Sequence, residues 1–295
     1  MSVLPFDQRD GFIWMNGSLV PWREAKLHVL SHGLHYASCV FEGERAYGGQ
    51  IFKSTEHSER FRNSANVLDF EIPYSVAELD AAKQLVVDKN NFTDCYVRPV
   101  AWRGSEMMAV AAQNSTINTA IAVWPWPSMF NVAEKMKGIR LDIAEYRRPD
   151  PRTAPTAAKA AGLYMICTIS KHRAERRGYA DAMMLDWQGR VAECTGANIF
   201  FAVDGVLHTP IADCFLDGIT RRTVIELARR RGIEVIERRI QPEELPNFEE
   251  CFLTGTGAEV TPVSEIGPYT FKPGALSRTF VEDYSAEVRP KQQAA

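Results

Sequence analysis

Lys159, in TAPTAAKAAGLY, has no lysine neighbour between Lys137 and Lys171. Alanine and glycine on both sides would strip water from its amine. A desolvated ammonium gives up its proton more readily, which leaves a neutral nucleophile or base. A lysine on the exposed face of a helix is the plainer reading of the same residues. Glu193, in RVAECTGANIFF, falls where one hairpin ends and the next begins, a place where strand ends present functional groups. Its alternative is a solvated turn glutamate.

Two segments suit an anion. In FLDGITRRTVIELARRRG, Gly218 permits a tight turn, and Ile219 and Thr220 open a helix whose free N–H groups, positive dipole end and hydroxyl can hold a phosphate. An ordinary capped helix fits those residues too. In Thr254-Gly255-Thr256-Gly257-Ala258, small residues after a buried strand let backbone N–H groups form an anion-binding concavity. Neither segment has G-x-x-x-x-G-K-[ST] spacing, which disfavours a nucleotide triphosphatase.

His28, His32 and His35, in HVLSHGLHY, would share one helical face, with Glu24 one turn earlier. Three such ligands are what a zinc-dependent hydrolase needs, although Ser31 and Gly33 weaken the helix. The arginines of RRTVIELARRR read as the solvated face and last turn of their helix rather than a nucleic-acid patch.

The elements that must carry these groups alternate between sheet and helix. FIWMNGSLV predicts a hairpin around Asn16-Gly17, and AYGGQIFK a second turn and strand. Helical spacing runs from Ser54 to Leu68, and Ser75 with Glu78 has capping-box spacing ahead of a second helix. CYVRPVAW and NTAIAVWPW read as buried strands, and the prolines of WPWPSMFN end the second. This places an N-terminal domain at 1–125, a connecting loop at 126–136 and a C-terminal domain at 137–295. The second half opens with the strand GIRLDIAEYRR and a proline-rich loop. A helix over AKAAGLYMICTISKHRAERRG follows, ending at Gly178. DAMMLDWQGRVAE and ANIFFAVDGVLHTP are hairpins, GITRRTVIELARRRG is a helix closed by Gly232, and ECFLTGTGAEVTPV is a strand that turns at its glycines.

Composition narrows the chemistry. The 295 residues are 45% hydrophobic and carry a formal charge of −3, so the core is ample and no basic field awaits a nucleic acid or an anionic membrane. Six scattered cysteines without a C-x-x-C pair read as reduced, mostly buried thiols. The start, MSVLPFDQRDGF, lacks a basic, apolar signal pattern, and no apolar run approaches a membrane span, so a cytoplasmic protein acting on small molecules is expected.

Taken together, HVLSHGLHYASCVFEGERAY, EHSERFRNSA, YVRP, PTAAKAAGLY, GRVAECTGANIF, LDGITR and TGTGAEVTP resemble the class IV aminotransferases in collinear order from Ile13 to Thr261. These are fold-type IV enzymes that use pyridoxal 5′-phosphate, and the likeness is strongest to those acting on branched-chain amino acids. The resemblance implies a two-domain α/β protein of the α+β type: a smaller N-terminal α/β domain and a larger C-terminal mixed domain with a barrel-like sheet. It further implies a cofactor between the domains and a homodimer whose neighbouring chain completes each pocket.

Carried over by motif, Lys159 is the lysine that bonds the cofactor and then moves the proton, and Glu193 is the carboxylate facing the pyridine nitrogen. Tyr164 would bond the phenolic oxygen. Arg60, the Ile219 and Thr220 amides beyond Gly218, and Thr256 would hold the phosphate, with Leu216 packed on the ring. Tyr96 and the Gly257-Ala258 turn would receive the substrate α-carboxylate. Tyr36, Phe41 and Trp126 would enclose an apolar side chain, and Arg98 would receive the glutamate carboxylate. The implied reaction moves the amino group of L-leucine, L-isoleucine or L-valine to 2-oxoglutarate by a ping-pong mechanism, with no metal. D-amino-acid and (R)-amine transaminases share the same fold. Two departures stand out: Met129 replaces a common tyrosine, and RGSEMMAV replaces a glycine-rich loop.

Overall fold

Asn16 and Gly17 both take positive φ, 50° and 93°, as a type I′ turn requires, and join β1 (Phe12–Met15) to β2 (Ser18–Pro21). The computed structural model describes residues 4–126 and 131–289, so Met129 lies outside the described residues. Contacts divide them into two units: 4–126 with Ala158–Gly162, and 131–157 with Leu163–Arg289.

The first unit continues through a short helix α1 (His32–Tyr36), then β3 (Cys39–Phe41), β4 (Glu44–Tyr47) and β5 (Gln50–Ile51). Helices α2 (Ser54–Val67) and α3 (Val76–Lys89) precede the long strands β6 (Cys95–Arg103) and β7 (Ile117–Pro125). The sheet is antiparallel, in the order β2-β1-β7-β6-β4-β5, with β3 also paired to β6. Ser75 caps α3 in the predicted box, its hydroxyl accepting from the Glu78 amide, a device worth about 1 kcal/mol. Phe61 and Ala65 of α2 pack with Leu79 of α3, Val40 and Ala101, while Val86 and Val87 pack on Trp14, Val97 and Ile121.

The second unit contains a one-turn α4 (Val132–Lys135), β8 (Ile139–Ile143), α5 (Met165–Arg176), β9 (Asp181–Leu185), β10 (Val191–Cys194), β11 (Asn198–Val203) and β12 (Val206–Pro210). It ends with α6 (Ile219–Arg230), β13 (Val235–Arg238), β14 (Glu250–Gly255), β15 (Glu259–Ile266), β16 (Tyr269–Thr270) and α7 (Ala275–Glu287). Nine strands form a mixed sheet, β10-β9-β8-β15-β14-β11-β12-β13, with β16 beside β15, and it curls into a half-barrel. Leu141, Met183, Phe201, Leu253 and Val263 fill its core. The observed class is the expected mixed α/β architecture.

Three expectations need correction. The helix predicted from Ala158 onward begins at Met165, after a 3-10 turn over Ala161–Tyr164. The preceding backbone finds partners elsewhere in the fold: Ala160 bridges to Val40, and this pairing overrides the high helix propensity of alanine. Arg221 is not on a solvated face. It is 1% exposed, and its guanidinium donates to Asp217, Glu237 and the Pro210 carbonyl. A cation can be buried there because carboxylates and a carbonyl replace its water.

The third correction concerns the histidines, of which His32 and His35 lie in α1 while His28 precedes it. Both ring nitrogens of His32 are engaged, Nδ1 with Ser38 Oγ and Nε2 with the Ala109 carbonyl, each at 2.8 Å. His35 Nε2 pairs with the Val29 carbonyl, and His28 Nδ1 accepts from the Leu30 amide. These imidazoles are spent on local bonds, and among the described residues no metal-holding cluster forms. All six cysteines are free thiols; five are buried, and burial pushes Cys95 and Cys214 up to about 12.

Candidate active site

In the first unit the backbone on either side of the Lys159 side chain is pinned. Its amide donates to Ser64 Oγ at 3.0 Å, and its carbonyl accepts from the Phe41 amide at 3.1 Å. The half-buried side chain carries Nζ to 5.0 Å from the Phe41 ring centre. Ser64 lies one helical turn beyond Arg60, so one face of α2 presents both residues. Arg60 is gripped bidentately by Glu42, Nε to Oε1 at 2.7 Å and Nη2 to Oε2 at 2.8 Å. His57 Nδ1 also reaches Glu42 Oε2 at 2.6 Å. Burial alone would raise the Glu42 pKa, yet the Arg60 and His57 beside it hold the carboxyl well below the usual range. Burial lowers the His57 pKa despite that carboxylate, so a neutral ring donates from Nδ1.

Tyr96 and Arg98 sit on one face of β6 because their spacing matches the strand period. The Arg98 guanidinium carbon lies 4.7 Å from the Phe41 ring centre and 5.2 Å from that of Tyr96. Tyr96 stacks on Trp124 at 4.9 Å and meets Trp126 at 5.4 Å. A Cβ at residue 43 would stand 2.0 Å from Tyr96 Oη, so Gly43 makes room for the phenol. Arg98 donates from Nη2 to that oxygen at 3.3 Å, while its buried Nε has no hydrogen-bond partner. The structure thus gathers Phe41, Tyr96 and Trp126 into an aromatic wall around Arg98, with the Lys159 amine over the same Phe41 ring. Tyr36 stacks on His32 and is 46% exposed.

In the second unit, Glu193 leaves β10 with Oε1 3.4 Å from Arg148 Nε and Oε2 3.3 Å from Asn198 Nδ2. The same Nδ2 donates to the Leu216 carbonyl at 3.0 Å. A Cβ on Gly218 would come within 2.1 Å of Asn198 Oδ1, which explains the glycine. Arg148 is 4% exposed. Burial disfavours its charge, but Glu193, and after it Cys167 and Tyr164, outweigh that cost and raise its pKa.

Gly218 caps α6 without a side-chain bond, so Ile219 and Thr220 present amides that no capping side chain occupies. Thr256, Gly257 and Ala258 form the turn between β14 and β15. A cavity of about 500 Å³ in this unit takes in Tyr164 and Ala258 together with Lys171, His172 and Asp181, and its lining does not include Glu193, Leu216, Ile219, Thr220 or Thr256. Each unit by itself carries groups of the kind a phosphorylated pyridine aldehyde needs: the first an amine at Lys159 and a guanidinium at Arg60, the second a helix start without a capping side chain and a carboxylate beside a buried arginine.

Glu42, His57, Ser64, Arg148 and Asn198 were not among the residues expected at the site. Asn198 and Glu42 stand inside recognisable motifs, GANIF and FEGERAY, but nothing local marks their partners. Arg148, in EYRRPDP, looks like any loop arginine.

The family description "Amino-transferase class IV" matches residues 39–266. The chain belongs to the class IV aminotransferases. A protein of Rickettsia felis described as a probable branched-chain-amino-acid aminotransferase is 42% identical over 293 residues, covering 98% of this chain and 100% of its own. Among solved structures, the branched-chain aminotransferase of Thermoproteus uzoniensis with norvaline superposes with a TM-score of 0.91 at 36% identity, covering 97% of each chain. The branched-chain amino acid aminotransferase of Thermobaculum terrenum, in its PLP form, gives 0.87 at 30% identity, covering 95% of this chain and 94% of the other. Among the described residues no helix is long and apolar enough to cross a membrane.

Proposed function

We infer that this protein is a pyridoxal-phosphate-dependent branched-chain amino-acid aminotransferase that passes the amino group of L-leucine, L-isoleucine or L-valine to 2-oxoglutarate. The observation that carries the reading is Arg98 set among Phe41, Tyr96 and Trp124. Aliphatic side chains need apolar walls and glutamate needs a cation, and this patch offers both. When bound, pyridoxal phosphate supplies an electron-accepting ring that stabilises negative charge at the substrate Cα.

The chain's own residues do the rest. Lys159 would hold the cofactor through its amine, and once the substrate amine displaces it, that freed amine would be the base that takes the Cα proton and hands it to the cofactor carbon on the other side of the transferred nitrogen. Glu193 would keep the proton on the pyridine nitrogen, and Tyr164 would bond the phenolic oxygen. Arg60, Thr256 and the Ile219 and Thr220 amides would hold the phosphate, and Leu216 would pack on the ring. Tyr96 and the Gly257-Ala258 turn orient the substrate α-carboxylate. The protein would work in the cytoplasm as a homodimer. Val29, Leu34 and Val110 are 66%, 63% and 86% exposed, and the His32–Ala109 bond joins their segments into an apolar surface that suits a second copy. Tyr36, on the same short helix, would serve the neighbouring pocket.

Near-ultraviolet and visible absorbance of the purified protein tests this reading. A cofactor band that bleaches with L-leucine and returns with 2-oxoglutarate is expected. Bleaching only with D-alanine or (R)-1-phenylethylamine would transfer the protein to another branch of the family, and a protein that never takes up the cofactor would overturn the reading. Initial rates against L-leucine at several 2-oxoglutarate concentrations should give parallel double-reciprocal lines; intersecting lines would exclude a ping-pong cycle. Arg98→Met should raise the KM for 2-oxoglutarate about 10- to 100-fold, the worth of a charged hydrogen bond, and change kcat/KM for L-leucine much less. Equal losses on both substrates would remove Arg98 from its role.

A further inference from the structure

Glu42 belongs to no role assigned above, yet it is fully buried and receives the most directed set of donors in the first unit. Arg60 Nε and Nη2, His57 Nδ1 and, at 3.3 Å, the Gly43 amide all point to its two oxygens. Four donors on one carboxylate leave it a single orientation. A buried ion pair by itself contributes little to stability, because desolvation offsets most of the attraction. The neighbouring buried cation, Lys83, has Glu44 and Asp80 as its own partners, so Glu42 is not needed to neutralise it.

The cluster has a direction. Side-chain exposure is 0% for Glu42 and 3% for His57 but 15% for Arg60, so only the arginine reaches the surface. Glu42 also follows Phe41, whose amide holds the Lys159 carbonyl, and Ser64, a turn beyond Arg60, holds the Lys159 amide. The carboxylate that orients Arg60 is therefore built into the same short stretch of chain that orients the lysine backbone.

We propose that Glu42 is a positioning residue for the phosphate group of the cofactor: braced from behind by His57, it fixes the Arg60 guanidinium in register with Lys159. The inference rests on the cofactor reading above. Arg60 then meets an anion already oriented, and little side-chain freedom is lost on binding. Lacking the brace, a long flexible side chain must be ordered at each encounter.

The test measures equilibrium binding of pyridoxal 5′-phosphate and of pyridoxal, which lacks the phosphate, to cofactor-free full-length protein. Glu42→Ala should weaken binding of the phosphorylated form roughly tenfold and leave pyridoxal within about twofold. Glu42→Ala with Arg60→Ala should bind no more weakly than Arg60→Ala alone, because Glu42 acts only through Arg60. Glu42→Gln keeps the shape and one acceptor, so it should recover part of the loss; it serves as the primary variant if Glu42→Ala melts without a cooperative transition. Equal weakening of both ligands, or losses that add to those of Arg60→Ala, would overturn the positioning role. A wild-type protein indifferent to the phosphate would instead overturn the cofactor reading.

Discussion

Lys159→Ala should lower transamination by about 10⁴-fold or more, to the background rate, because covalent attachment and proton transfer at Cα are lost together. The fold should survive. Two bonds that hold this residue in place come from its backbone, to Ser64 Oγ and from the Phe41 amide, and truncation at Cβ leaves them intact. The cofactor-free variant should therefore still unfold in one cooperative transition, with a midpoint within several degrees of the wild type. Borohydride treatment followed by mass spectrometry should find the cofactor mass on the wild-type chain and none on the variant. Lys159→Arg should lose activity as severely, since a guanidinium keeps its charge but cannot act as a neutral amine. Either variant retaining a tenth of normal turnover would remove Lys159 from the chemistry.

Glu193→Gln should reduce kcat by roughly 10²–10³-fold, the scale associated with removing one preorganised electrostatic partner. The amide preserves the shape that Asn198 contacts, so the loss reports charge. It also leaves Arg148, whose side chain is 5% exposed, a buried cation without its carboxylate. Breaking a buried pair from one side is costly, up to about 3 kcal/mol here, and should lower the melting temperature by several degrees. Adding Arg148→Met to Glu193→Gln should then restore most of the stability and none of the activity. A double variant that regains turnover would mean that the carboxylate matters only for folding.

What could be read from the chain beforehand follows its physics. Turns that demand positive φ are legible: Asn16-Gly17 and Asp204-Gly205 each join the two strands of an expected hairpin, and the turn and strand expected at Gly48-Gly49 form with a second strand, β4, on the other side. The Ser75–Glu78 box was equally clear, being a contact three residues long. The stretch around Lys159 was misread because its alanines favour helix locally, while the decisive bonds come from Val40, Phe41 and Ser64, far away in the chain. Arg221 was misread for a related reason. A run of arginines looks solvated until Glu237, on the following strand, turns out to accept from one of them. The chemistry-bearing residues lie in compact motifs, whereas the groups that hold them, Glu42 for Arg60 and Arg148 for Glu193, are visible only once the strands are paired.

The five residues from Ala158 to Gly162 join the first unit although the chain has already entered the second. Ser64 and Lys159 are 95 residues apart, and at synthesis rates of roughly 5–20 residues per second their meeting is delayed by about 5–20 s after Ser64 is made. During that interval α3, β6 and β7 are made, and the strands and helices of the first unit are all synthesised before Lys159 is. The residue assigned to the cofactor therefore joins its unit only after more than half of the chain exists. For the same reason a gene cut after residue 126 would yield a first unit without its lysine, so the two halves cannot be exchanged as simple modules.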